Sequence, residues 1–121
     1  MSKRVIFISL PTNGIPDEVV RANIERAKAA YLKIRGLDIE NVAFVYNLDI
    51  SDPPEWCNEN KEVWLLGNSL MKLASCDECF FWIGWNNYKD CWLERNVCLQ
   101  YGIPHIEINV STNEKKEDLW E

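Results

Sequence analysis

Residues 3–10, Lys-Arg-Val-Ile-Phe-Ile-Ser-Leu, form a short apolar run rich in β-branched side chains, the pattern of a strand buried on both faces of a parallel sheet. The turn residues Pro11-Thr12-Asn13-Gly14 end it, and Pro16-Asp17-Glu18 supplies a proline and two acids suited to a helix start. Val20, Ile24, Ala27, Tyr31 and Ile34 then recur at alternating spacings of four and three, one apolar stripe on a long amphipathic helix that stops near Gly36. Residues 41–46 predict a second strand. The polar, proline-containing stretch over 47–55 reads as a loop at its carboxyl end. Val63, Leu66, Leu70 and Leu73 mark a second helix over residues 58–74, followed by a third strand over 77–83 and a break at 84–87. A third helix is expected over 89–101, stopped by Gly102, before a fourth strand over 103–108. The remaining tail is polar, with one helical turn predicted near Trp120.

Strand and helix alternate throughout, so the crossovers should be right-handed and the strands parallel. The expected architecture is an α/β three-layer sandwich with a parallel, flavodoxin-like sheet of four to five strands. Residues 1–110 form the domain and 111–121 the tail. Open sheets of this kind bind ligands outside the carboxyl ends of their strands. Here that edge is built from residues 9–14, 47–56 and 84–90.

With 121 residues, 47% hydrophobic and 26% charged, the chain has the balance of one globular domain. No apolar run reaches the roughly 18 residues of a membrane span, and the opening leads directly into the first strand, so no membrane partner and a cytoplasmic location are expected. A net charge of −6 argues against long nucleic acids, whose non-specific binding depends on clustered cations. A small phosphorylated ligand stays compatible, because backbone N–H groups bind phosphate without a basic surface. Cys57, Cys76, Cys79, Cys91 and Cys98 are odd in number and read as reduced thiols. Cys76 and Cys79 have C-x-x-C spacing, and Cys91 and Cys98 share a helical face. A zinc site is therefore conceivable, but with no second C-x-x-C core packing is the better reading and no metal is expected. His105, the only histidine, leaves no Ser-His-Asp triad or His-rich metal site within one chain. Neither a P-loop nor a G-x-G-x-x-G is present, and no cofactor is expected.

The segment over residues 73–94 carries the most chemistry, with Asp77 before the third strand and Glu94 near the second turn of the third helix. Ile6-Phe7-Ile8-Ser9-Leu10-Pro11, then Asn23 and Ala27, then Cys76-Asp77 with Ile83-Gly84-Trp85, and finally Glu94, stand in an order that resembles domain-of-unknown-function family 4406. That group is similar to nucleoside 2-deoxyribosyltransferases, and the likeness covers roughly residues 5–106. It implies a nucleoside 2-deoxyribosyltransferase-like sheet and a nucleoside or nucleotide ligand. By the same analogy Glu94 is the nucleophile at the sugar's anomeric carbon, and Asp77 a positioning or proton-handling partner. The chemistry is sound: an ionised carboxylate traps an oxocarbenium-like centre while a second carboxyl manages the proton of the departing base. A place in the amino-terminal half of a helix is expected to favour the charged form of Glu94. The chain departs from the pattern at Leu10, where relatives carry glycine, and at Tyr88-Lys89-Asp90-Cys91, where the transferases place an aspartate and then Gly-Thr. Asp90 is positioned to take over the missing aspartate's role.

Trp56, Trp82, Trp85, Trp92 and Tyr88 gather near the expected ligand edge, where aromatic faces stack on nucleobases. Trp85 and Tyr88 lie in a loop, whereas Trp82 suits the core. Asn86 suits either a base edge or plain turn chemistry. The expected ligand-binding set is thus Ser9, Leu10, Pro11, Asn47, Trp85, Asn86, Tyr88 and Asp90. Two other functions fit the same residues: a module that captures a nucleotide-derived molecule unchanged, and a protein-interaction domain using exposed tryptophans. The resemblance also implies a homodimer or higher homo-oligomer.

Overall fold

A computed structural model describes residues 3–12, 14–47 and 60–108 of the chain. Its elements are β1 Arg4–Ser9, α1 Asp17–Arg35, β2 Val42–Val45, α2 Lys61–Ala74, β3 Glu78–Phe81, α3 Lys89–Tyr101 and β4 His105–Glu107. Short 3-10 turns at Ile39–Asn41 and Trp85–Asn87 precede β2 and α3. Most of the expected loop over 47–56, Cys57 and the tail beyond 108 lie outside the described residues.

The four strands among the described residues are all parallel, in the order β2-β1-β3-β4. From β1 the chain steps outward through α1 to β2, then crosses back over β1 through α2 to reach β3. Right-handed crossovers running in opposite directions occupy opposite faces of a sheet. The packing follows that rule. Ile6 and Ile8 of β1 meet Val20, Ile24, Ala27 and Tyr31 of α1, while Phe7, between them in sequence, meets Leu73 of α2 and Cys91 and Cys98 of α3. The result is the expected three-layer sandwich, with α1 on one face and α2 and α3 on the other.

The stripe on α1 is buried through Tyr31, but Ile34 is exposed. At that point the helix reaches the amino edge of the sheet, and Arg35 turns inward to Glu78 instead. On α2 the expected stripe holds at Leu73, which is buried, and at Leu70, which packs on the same core, but Val63 faces solvent and Ser69 is buried. A serine therefore occupies a core position that hydrophobic periodicity alone assigns elsewhere.

Glu78, the first residue of β3, is 1% exposed. Its carboxylate accepts hydrogen bonds from the Tyr31 hydroxyl at 2.5 Å and the Arg4 guanidinium at 3.0 Å, and pairs closely with Arg35. Burial pushes the carboxyl's pKa up, but the bonds from Arg35, Tyr31 and Arg4 outweigh it and hold it below the ordinary glutamate value. The cluster ties the end of α1 to β1 and β3. Because the folded pKa is depressed, its stabilisation is full above the unfolded value and fades as pH falls through the folded one. Glu78→Gln, which leaves two arginines facing a neutral amide, is expected to lower unfolding free energy at pH 7 by about 3 kcal/mol. Urea denaturation at pH 7 and pH 3 checks this, with the wild-type advantage shrinking at the lower pH.

Candidate functional site

The sheet order changes direction at β1, which has β2 on one side and β3 on the other; in such folds the crevice at that point receives ligands. Ser9 ends β1. By strand alternation it shares the face of Phe7, toward α2 and α3. On α3 the buried positions are Cys91, Glu94 and Cys98, an i, i+3, i+7 stripe that carries a carboxyl into the core beside Ser9.

Glu94 is 3% exposed, and its Oε1 accepts a 2.5 Å hydrogen bond from the Ser9 hydroxyl. The Ser69 hydroxyl of α2 acts on the same carboxyl, favouring its charged form. Burial pushes the Glu94 pKa up to about 7; the two serine hydroxyls act against that, and the nearby Asp90 carboxylate adds to it. The expected preference for the charged form is thereby reversed. Desolvation dominates because Glu94 lies beyond the first turn of α3, where the helix dipole has faded. A carboxyl poised near neutral pH can act as general acid, general base or nucleophile.

Behind Ser69 the polar groups form a directed chain. Lys72 Nζ donates to the Tyr46 carbonyl at 2.9 Å and to Asn47 Oδ1 at 3.3 Å. An ammonium has only donors, so it fixes which end of the Asn47 amide faces it. The Asn47 Nδ2 then points to Ser69 Oγ and donates to it. Ser69 in turn donates to the Leu65 carbonyl, one turn back, at 3.3 Å. The chain thus runs from Lys72 through Asn47 to Ser69.

In front of this group lies an open cleft of about 370 Å³, lined in part by Thr12, Asp17, Asn47, Glu62, Ser69 and Asp90. That volume is within the range of small-ligand sites. A smaller hollow beside it is lined by Leu10, Pro11, Tyr88, Lys89 and Cys91, and shares Thr12, Glu62 and Asp90 with the cleft. Lys89 pairs with Glu62 at 3.3 Å, joining the first turns of α2 and α3. The loops after β1 and β3 are in close contact: Gly84 has a φ of +94°, and a Cβ there would lie 3.1 Å from Pro11 Cγ. Only glycine meets both conditions.

Of the expected ligand-binding residues, Leu10, Pro11, Asn47, Tyr88 and Asp90 line these hollows. The Leu10 side chain itself turns into the core beneath α1. Ser9 stands behind the cleft, bonded to Glu94. Trp85 does not face a ligand: it is buried against Phe81, Trp92 and the Arg95 guanidinium. Asn86 accepts the Trp92 indole N–H on its backbone carbonyl, and its Oδ1 is buried without a hydrogen-bond partner among the described residues. Trp56 lies outside them. Asp77 is at the wrong end of the sheet to serve Glu94. It exchanges two 2.7 Å hydrogen bonds with the Val5 backbone, bracing the amino ends of β1 and β3, because it precedes β3 whereas the site follows it. Thr12 falls within the expected edge over 9–14, whereas Ser69, Lys72, Asp17 and Glu62 were not anticipated. A signal for the buried pair did exist, namely a charged residue within the Cys91-Glu94-Cys98 stripe and a serine four residues before Leu73.

Burial raises the Cys91 thiol to about 12 and the Cys76 thiol to about 11, so both stay protonated at neutral pH. The four described cysteines are free, and among the described residues no group of three or more His, Cys, Asp or Glu is arranged to hold a metal ion.

These features define an α/β domain with a parallel four-stranded sheet and a polar cleft at its carboxyl edge. A solved structure of a conserved protein from Enterococcus faecalis V583 shares the fold, with a TM-score of 0.60 at 15% identity over 97% of this chain and 70% of that one. No protein-family model matches the chain, and no curated protein matches it. No helix among the described residues is long and apolar enough to cross a membrane.

The buried carboxyl gives stability an unusual pH dependence. Folded Glu94 keeps its proton up to about pH 7, whereas an ordinary glutamate releases it near 4.5, so its burial costs stability progressively between those values and fully above them. The cost is roughly 3 kcal/mol at pH 8. Glu94→Gln should therefore stabilise the fold by about 2 kcal/mol or more at pH 8 and change it little at pH 4. Denaturant unfolding of the variant and wild type at the two pH values checks both expectations.

Proposed function

We propose that the cleft binds a nucleoside and that Glu94 cleaves or transfers at its N-glycosidic bond, the reading suggested by the resemblance to nucleoside 2-deoxyribosyltransferases. The observation that carries it is the buried Glu94 carboxyl, held by the Ser9 hydroxyl at the carboxyl end of β1, where burial pushes its pKa up to about 7. In the proposed step a Glu94 oxygen attacks C1′ and the C1′–N bond breaks. Its electron pair passes to the base nitrogen, which takes a proton, and water or a second base then opens the glycosyl ester. Asp90 lines both hollows one turn before Glu94, and it is the carboxyl suited to handle that proton.

The cleft's charge selects among ligands. Asp17, Glu62 and Asp90 line it, and Lys89 is engaged with Glu62, so a phosphate meets carboxylates where sugar hydroxyls meet acceptors. This favours a nucleoside over a nucleotide. Capture without chemistry is a second reading, favoured by the near-complete burial of Glu94, which shields the nucleophile unless the ligand reaches past Ser69. The likeness further supports a homo-oligomeric protein, and a cytoplasmic location accompanies this reading.

Incubation with a panel of nucleosides, followed by chromatography and mass analysis, is expected to show free base from wild type and roughly 10³-fold less from Glu94→Gln. Ligand retained unaltered would favour the capture reading; equal turnover by both proteins would remove Glu94 from the chemistry. In calorimetry a bound nucleoside should exceed its 5′-monophosphate in affinity by about tenfold or more, roughly 1.4 kcal/mol. Tighter binding of the monophosphate would contradict selection by the carboxylates.

A further inference from the structure

The cleft in front of Glu94 carries unbalanced negative charge. Among the described residues, Asp17 of α1, Glu62 of α2 and Asp90 of α3 line it, and no lysine or arginine does. The cations around it are turned elsewhere. Lys89 lines the adjoining hollow and pairs with Glu62, Lys72 donates to the Tyr46 carbonyl and the Asn47 side chain, and Arg21 lines a separate hollow with Tyr46. The ion pairs among the described residues include neither Asp17 nor Asp90. Lys89 thus offsets one carboxylate, and the other two are left unmatched along the cleft.

We infer, on the nucleoside reading of the cleft, that its substrate is a nucleoside whose base already bears a positive charge, an N-alkylated purine or a pyridinium, and that Asp17 and Asp90 select it. A cationic ring entering the cleft is attracted by both carboxylates, whereas a neutral base gains no such attraction.

The chemistry suits the same ligand. As a Glu94 oxygen bonds to C1′ and the C1′–N bond breaks, the electron pair returns to the ring and cancels its charge, so the base departs neutral without taking a proton. Asp90 can then stay ionised throughout. Positive charge passes from the base toward C1′ during the step and remains within the cleft, so the carboxylates hold ground state and transition state alike, and selection is expressed as affinity. Water next opens the glycosyl ester, giving the free sugar and a Glu94 carboxyl whose proton passes to solvent. The ligand also prepares its own nucleophile. The Asp90 charge is one of the causes that keep the Glu94 carboxyl protonated, and a bound cation offsets it in favour of the ionised, attacking form.

Calorimetry on the full chain carrying Glu94→Gln, at pH 6 and low salt, tests this with two pairs of ligands whose members differ in charge and little in shape. The first pair is N7-methylguanosine and its neutral 7-deaza isostere; the second is nicotinamide riboside and the neutral benzamide riboside. Unmodified nucleosides serve as the reference. In at least one pair the cation is expected to bind about tenfold or more tighter than its neutral partner. That margin should shrink as salt is raised and vanish when Asp17→Asn and Asp90→Asn are added. Cations that bind no tighter than their neutral partners or the unmodified nucleosides overturn the inference and leave the nucleoside reading standing. A cation preference that survives both added substitutions overturns the selection by Asp17 and Asp90. Binding by no nucleoside at all removes the nucleoside reading, and this inference with it.

Discussion

A carboxyl group taken out of water must find a cation or hold its proton to higher pH, and this fold contains both solutions at the two ends of the same pair of strands. At the amino end Glu78 meets Arg4, Arg35 and the Tyr31 hydroxyl, and remains charged. At the carboxyl end Glu94 meets the hydroxyls of Ser9 and Ser69 and is poised near neutrality. The first arrangement holds α1 to the sheet. The second places a buried carboxyl beside the crevice where the sheet order turns. Stability is gained at one end and given up at the other, the pattern expected where a site is more than a packing device.

The chain's periodicity made most of the architecture readable. Val20, Ile24, Ala27 and Tyr31 form a stripe because α1 covers one face of a sheet, and α3 runs from Lys89 to Tyr101 because Gly102 closes it in the left-handed conformation. The parallel sheet followed from alternation. Reading failed where one residue type serves two environments. Val63 fits an apolar stripe as well as an exposed position, and the burial of Ser69 beside Leu70 and Leu73 is set by tertiary contacts. Trp85 has the size of a ligand platform and is used to fill the space between Phe81, Trp92 and Arg95.

The site was legible in part for the same reason. Asn47 follows β2, and Tyr88 and Asp90 lead into the helix after β3, on the edge where this fold puts its ligands, whereas Glu94, deeper in α3, was singled out only through the resemblance. Asp77 precedes its strand and belongs to the opposite edge. The Lys72–Asn47–Ser69 chain joins residues 22 to 25 positions apart and has no local signature. It exists because α2 runs back alongside the end of β2. Its effect on Glu94 is directional: a cation at one end orients an amide, the amide orients a hydroxyl, and the hydroxyl supports the charged state of a carboxyl that burial disfavours.

The central claim is that Glu94 is a carboxyl balanced near neutrality by burial against two hydroxyls. Observing its side-chain carboxyl carbon by ¹³C NMR on glutamate-labelled protein, assigned through Glu94→Gln and followed from pH 4 to 9, tests that most directly. A midpoint near 7 is expected, moved upward when Ser69 or Lys72 loses its hydrogen-bonding group. A midpoint at the ordinary value near 4.5, indifferent to those substitutions, would contradict it.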